Sequence, residues 1–124
     1  MASHLLTFQP RFADLVASGD KRQTIRKPRP CVVGDILHLW EGDRTHKTRK
    51  LGVGRVVEIF YIRIAEPAII ALRQAGDPWH PVSAERLRPF AKLDGFNTAM
   101  EFFMFFGDHY GLPFEGILIR WEAL

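Results

Sequence analysis

Residues 51–64, LGVGRVVEIFYIRI, constrain the fold of this chain more than any other stretch. Valine, isoleucine and aromatic side chains make up over half of it. Such residues lose rotamer freedom in a helix and pack well on a pleated surface, so the stretch reads as one long strand. GDILHLW, at 34–40, alternates Ile36, His38 and Trp40 with Leu37 and Leu39 behind a Gly-Asp turn, and reads as another strand. The polar segment EGDRTHKTRK joins the two as a hairpin. Leu5–Phe8 supplies an opening strand and GILIRW a closing one.

Helical signals fall between these strands. Pro10 opens RFADLVASG, where Phe12, Leu15 and Val16 share one face and Gly19 supplies the stop. Residues Gln23–Arg26 are expected to run extended, because β-branched Thr24 and Ile25 sit just before Pro28 and Pro30. Pro67 is predicted to begin a helix through AIIALRQAG. Ser83 is the predicted N-cap of a second, with Glu85 one position short of a capping box. Asn97 or Thr98 caps a third, AMEFFMFFGDHYG, whose apolar residues cover more than one stripe and predict deep burial against a sheet. Parallel crossovers are too few for a doubly wound sheet. The expected class is α+β, a small mixed β-barrel with peripheral helices, formed by residues 1–124 as a single domain.

Composition narrows the function classes. Hydrophobic residues make up 47% and charged residues 25% of 124, ordinary values for a soluble globular protein and against dominant disorder. Cys31 is the only cysteine, so no internal disulfide can form and a reducing compartment is expected. MASHLLTFQPRF lacks the apolar run of a secretory signal. FFMFF is far below the roughly 20 residues of a membrane span. A soluble cytoplasmic protein with no membrane partner is expected.

The formal charge is +3, unevenly placed. Lys21, Arg22, Arg26, Lys27 and Arg29 crowd one short stretch, and Arg44, Lys47, Arg49, Lys50 and Arg55 form a second group. Acid gathers late, at Asp94, Glu101, Asp108, Glu115 and Glu122. Such asymmetry fits a face that attracts phosphates or another anion, and it fits a solvated basic surface equally well.

Some chemistries have no sequence support. His4, His38, His46, His80 and His109 are scattered without metal-ligand spacing, and neither a phosphate loop nor G-x-G-x-x-G occurs. No metal and no cofactor are expected, and Cys31 has no motif to mark it as a nucleophile.

The first basic stretch carries a hydroxyl, Thr24, three residues after an amine, Lys21. A threonine attacks only when a base takes its proton, and a lysine serves as base only where desolvation or a neighbouring cation favours its neutral form. Arg22, Arg26 and Lys27 provide that cationic neighbourhood. In a regular strand, residues three apart point to opposite faces. Lys21 and Thr24 can meet only if Gly19–Arg22 forms a turn and the strand begins near Gln23. Otherwise Thr24 is an ordinary strand residue and Lys21 a solvated turn charge. Asp94, in LDGF, reads either as an Asp-Gly turn or as a carboxylate placed for proton transfer. Among the aromatics Trp40, Phe60, Tyr61 and Trp79, the last stands beside Asp77, Pro78 and His80 and is expected to be an exposed stacking platform.

Taken together, F..RF.DLVASGDKRQTIR, VGDILHLW, AKLDGF with its following aromatic helix, and GILIRW resemble the ASCH domain family, over almost the whole chain and in the same order. The element G-x-K-x-x-T-I-R, here GDKRQTIR, is the most specific part. The resemblance implies a PUA-like β-barrel. One branch, the bacterial N4-acetylcytidine amidohydrolases, hydrolyses the exocyclic amide of acylated cytidine without a metal. It uses a lysine and a threonine of this element and a glutamate before the late helix. Carried over, these are Lys21, Thr24 and Asp94, the last one methylene shorter than the family glutamate. Arg26 matches the same element and would line the cleft, with Arg22 and Trp79 as further substrate-binding residues. The implied partner is a small modified nucleoside. Other ASCH proteins bind or cleave RNA, so an RNA-binding module is the alternative.

Overall fold

The computed structural model of the chain describes residues 1–43 and 45–124; Arg44 of the second basic group lies outside the described residues. In chain order the elements are β1 (Ser3–Phe8), α1 (Pro10–Ser18), β2 (Gln23–Arg26), β3 (Ile36–Gly42), β4 (Lys47–Ala65), β5 (Ile69–Arg73), β6 (His80–Pro81), α2 (Ala84–Leu93), α3 (Ala99–Tyr110) and β7 (Phe114–Ala123). The strands form one mixed sheet in the order β1-β3-β4-β5-β6, with β7 paired to β2 and β4. β1 runs parallel to β3, whereas β3/β4, β4/β5 and β5/β6 are antiparallel.

The expected closure into a barrel is not found: among the described residues β1, β2 and β6 each pair with one strand, and the ladder stays open. One physical reason is visible at β6. It is two residues long and includes Pro81, which has no N–H to offer a further strand.

The chain forms two compact units and crosses between them repeatedly. The first comprises Met1–Gln23, Pro30–Ile59 and Ile119–Leu124, the second Thr24–Arg29 and Phe60–Leu118. In the first unit, α1 begins with Pro10 at its first turn, where the missing N–H costs no bond. It buries Phe12, Ala13 and Val16. Leu6 and Phe8 of β1, Leu37 and Leu39 of β3, and Trp121 of β7 complete that core, with Phe8 and Trp121 ring centroids 6.1 Å apart. In the second unit Ile62, Ile64, Ile70 and Leu118 form the buried sheet face. Phe90, Phe96, Phe102, Phe106 and Phe114 make a continuous aromatic cluster, with Phe102 and Phe106 centroids 4.7 Å apart.

Two predicted features change. The helix expected from Pro67 is a strand: Glu66–Ala68 form a turn, and Ile69–Arg73 pairs back along β4 from Ala65↔Ile69 to Tyr61↔Arg73. Consecutive β-branched Ile69 and Ile70 suit that ladder, and pairing outweighs the helix-start signal of the proline. α3 is also less enclosed than its composition predicts. Phe102 and Phe106 are buried, whereas Met100 and Met104 are exposed. Its cap is Thr98, whose hydroxyl accepts from the Glu101 N–H at 3.1 Å. Among the described residues no helix is long and apolar enough to cross a membrane.

Candidate active site

The basic stretch begins where α1 ends. Gly19 takes the left-handed conformation, φ 86°, that a side chain would oppose, and its N–H closes on the Val16 carbonyl. The Lys21 N–H then donates to the Leu15 carbonyl at 2.9 Å, which pins this residue to the helix it follows. Lys21 is only 3% exposed, and its ammonium lies 5.0 Å from the centroid of the Phe12 ring. A lysine so enclosed is rare. Arg22 is exposed; its carbonyl accepts from the Trp121 N–H at 3.1 Å. A turn at Gly19 and a bend at Asp20 precede Lys21, and because β2 starts at Gln23, Lys21 stands outside the strand and its alternation. Gln23 is itself buried and accepts from Arg120 Nε at 3.2 Å.

In the second unit Thr24 and Arg26 stand two apart on β2 and therefore on one face. Arg26 Nε donates to Thr24 Oγ1 at 3.0 Å. Thr24 is 4% exposed and Arg26 half-buried. β7 holds this strand at close range through Gly116, where a β-carbon would lie 2.3 Å from the Arg26 carbonyl oxygen and 2.8 Å from the Phe114 ring.

Asp94 ends α2 as its C-cap, with Gly95 (φ 97°) turning the chain and Phe96 anchoring it in the aromatic cluster. Its carboxylate is 3% exposed at the negative end of a helix dipole, an arrangement that calls for a cation. Arg26 feels that carboxylate. Burial lowers the guanidinium pKa, Tyr110 and Asp94 push it back up, and Arg29 adds to the lowering. The group keeps its charge, as guanidinium groups do in proteins. The structure thus brings Thr24, Arg26 and Asp94 into one electrostatic neighbourhood and adds Tyr110 and Arg29. Tyr110 gave no signal in the sequence beyond membership of an aromatic helix; Lys27 also lies 5.9 Å from its ring centroid.

Trp79 is half-buried rather than exposed. Its ring carries two guanidiniums, Arg63 at 4.4 Å and Arg73 at 5.1 Å, and Arg73 also lies 5.2 Å from Tyr61. Arg63 reaches Glu115 at 3.4 Å. The second basic group is partly neutralised: Arg49 pairs with Asp14 at 2.8 Å and Glu41 at 3.3 Å, and Arg55 with Glu122 at 3.9 Å. A groove of about 720 Å³, lined by residues that include Glu66, Phe103, Met104 and Asp108, shares no residue with the Thr24–Arg26–Asp94 group. One cluster that sequence spacing missed could hold a metal ion, namely His4, Cys31 and Asp35.

No protein-family model matches the chain, and neither does any curated protein. Among solved structures the chain is similar to one described as "hypothetical protein PH0355", with a TM-score of 0.55 and 14% sequence identity over 100% of both chains. That likeness concerns the fold.

Proposed function

We propose that the chain is an ASCH-type, PUA-like protein in open-sheet form, and a metal-independent amidohydrolase that converts N4-acetylcytidine to cytidine and acetate. The observation that carries this reading is the 3.0 Å bond from Arg26 Nε to the buried Thr24 Oγ1, in the field of the buried Asp94. A guanidinium that donates to a hydroxyl oxygen leaves the hydroxyl proton to be given elsewhere and stabilises the alkoxide formed when it goes.

In this reading Lys21 takes that proton. Three peptide units limit the separation of its Cα from that of Thr24 to about 10 Å, within the reach of a lysine stem. A lysine is a base only in its neutral form, which desolvation favours, and Lys21 is buried. Thr24 Oγ1 attacks the acetyl carbonyl, the carbonyl π pair moves to oxygen, and the C–N4 bond breaks as the Lys21 ammonium returns the Thr24 proton to the departing amine, leaving Lys21 neutral. The Asp94 carboxylate then takes a proton from water, whose oxygen adds to the threonyl ester; the C–Oγ1 bond breaks, that proton passes to Thr24 Oγ1, and the acid leaves as acetate, its remaining proton going to solvent. Arg22, Arg26 and Trp79 are the candidate substrate contacts, although Arg63 and Arg73 already lie over the Trp79 ring.

Incubation of the purified chain with N4-acetylcytidine, followed by chromatography of the bases, tests the reaction. Release of cytidine is expected, and Thr24→Ala or Lys21→Ala should abolish it. Asp94→Glu should keep or raise the rate. Full activity in Thr24→Ala would refute the mechanism. The second reading, an RNA-binding module, draws on the exposed Arg22 and Lys27. It is weakened by the burial of Lys21 and the carboxylate partners of Arg49 and Arg55.

A further inference from the structure

Parallel pairing of β1 with β3 sets His4 opposite Leu37, two residues past Asp35, and the loop before β3 carries Cys31. The ligand atoms of His4, Cys31 and Asp35 consequently lie within 4.8 Å of one another. Cys31 and Asp35 are buried, at 7% and 2% exposure, and the His4 side chain keeps 11%, a route in from solvent. The carboxylate is already oriented: Oδ1 accepts from the Ala2 N–H and Oδ2 from the Val32 N–H, each at 3.1 Å, and His4 Nε2 lies 2.8 Å from Oδ2. Backbone donors that fix a carboxylate in this way are the outer contacts that metal-ligating carboxylates characteristically have. Cys31 forms no disulfide, so its sulfur can ligate as thiolate.

We propose that His4, Cys31 and Asp35 form a binding site for one divalent ion of the zinc class, which clasps the first strand to the loop that precedes β3. Imidazole, thiolate and carboxylate together select a borderline-soft ion over magnesium or calcium. Zinc bonds of about 2.0–2.3 Å set tetrahedral ligand separations near 3.5 Å, so no pair need close by more than about 1.3 Å, within the range of side-chain rotation. Water completes the fourth position. On binding, Cys31 gives its thiol proton to the buffer, while the proton on His4 Nε2 moves to Nδ1 and Nε2 becomes the ligand.

Tag-free full chain, stripped with chelator, is titrated with Co²⁺ and then with Zn²⁺. The expected result is a near-ultraviolet thiolate-to-cobalt charge-transfer band that saturates at one equivalent and is displaced by Zn²⁺. A rise in melting temperature with Zn²⁺ is also expected. Cys31→Ser should lose the band and the thermal shift, and His4→Gln should keep the band but weaken affinity at least tenfold. Circular dichroism establishes that each variant is folded, and His4→Gln decides the matter if Cys31→Ser does not fold. Absence of saturable binding, or equal binding in a folded variant lacking either ligand, would mean an adventitious surface ion and overturn the site.

Discussion

In the proposed reaction Arg26 has two chemically distinct roles open to it, and one bond separates them. If the guanidinium serves only to hold substrate, its loss weakens binding; if its Nε–H supports the oxygen of Thr24, its loss slows the chemical step. The observed donor geometry supports the second. Arg26→Met, which keeps an apolar stem of similar reach, should lower kcat on N4-acetylcytidine by about 10²–10³-fold, the effect of removing one preorganised donor, with KM little changed. Steady-state kinetics on the folded variant reads the split, and a raised KM with kcat intact would return Arg26 to substrate binding alone. Asp35 offers a second residue-scale test. Hydrogen bonds from His4, first, and from the Val32 and Ala2 N–H groups hold its carboxyl near pKa 2, below the ordinary value of 3.8. A carboxyl with a folded pKa below its unfolded one binds protons more readily in the unfolded chain. Its contribution to stability is therefore complete above about pH 4 and lost as pH falls towards 2. In chelator-treated protein, urea unfolding should separate wild type from Asp35→Asn at about pH 6, and the gap should narrow at about pH 2.5. A constant gap would mean that Asp35 acts through shape and not through its charge.

β2 is an element of four residues, yet Thr24 and Arg26 both depend on it, and β7 fixes its position through a glycine. At Gly116 an added methyl meets the Arg26 carbonyl oxygen at 2.3 Å, a backbone atom that can yield only if β2 moves. Gly116→Ala should therefore cost about 1–3 kcal/mol, the usual scale of overpacking, and reduce deacetylation by more than its loss of folded protein explains. Denaturant melts alongside kinetics distinguish the two, and an active, fully stable variant would show that β2 is not held here. The same strand illustrates which features a sequence carries locally. Thr24 and Ile25 ahead of two prolines announced an extended segment, Gly19 announced the end of α1, and the long strand over 51–64 announced a sheet. Each signal is local, carried by backbone sterics or side-chain branching. What stayed hidden depends on partners distant in sequence. Ile69–Arg73 becomes a strand because β4 lies ready to pair with it. Tyr110 joins the Arg26 neighbourhood only through the packing of α3. His4, Cys31 and Asp35 share no motif and meet only because β1 lies parallel to β3. Trp79 was legible as an aromatic in a loop, but its two guanidinium neighbours come from β4 and β5.

At the scale of the whole molecule, the question is what a net charge of +3 is for. A polyanion grip needs several cations left to the solvent. Here Lys21 is internal, Arg26 is engaged by Thr24, Arg49 and Arg55 have carboxylates, and Arg63 and Arg73 lie over aromatic rings. Six of the seventeen Lys and Arg are thus engaged within the chain, which suits the proposed neutral nucleoside, while Arg22, Lys27, Lys47, Lys50, Arg86, Arg88 and Lys92 are exposed and keep the RNA reading testable. Turnover and RNA affinity should then respond differently to salt. A neutral substrate brings no counterions to release, so kcat/KM for N4-acetylcytidine should change less than about twofold between roughly 50 and 200 mM sodium chloride. An RNA interface that neutralises about six phosphates would lose some three orders of magnitude in affinity or more over the same range. Short single-stranded RNA, followed by fluorescence anisotropy, should bind weakly at the lower salt concentration, with a shallow slope of one or two phosphates. Tight binding with a slope of six or more, in a chain that releases no cytidine, would overturn the proposed reaction and assign the basic stretch to RNA.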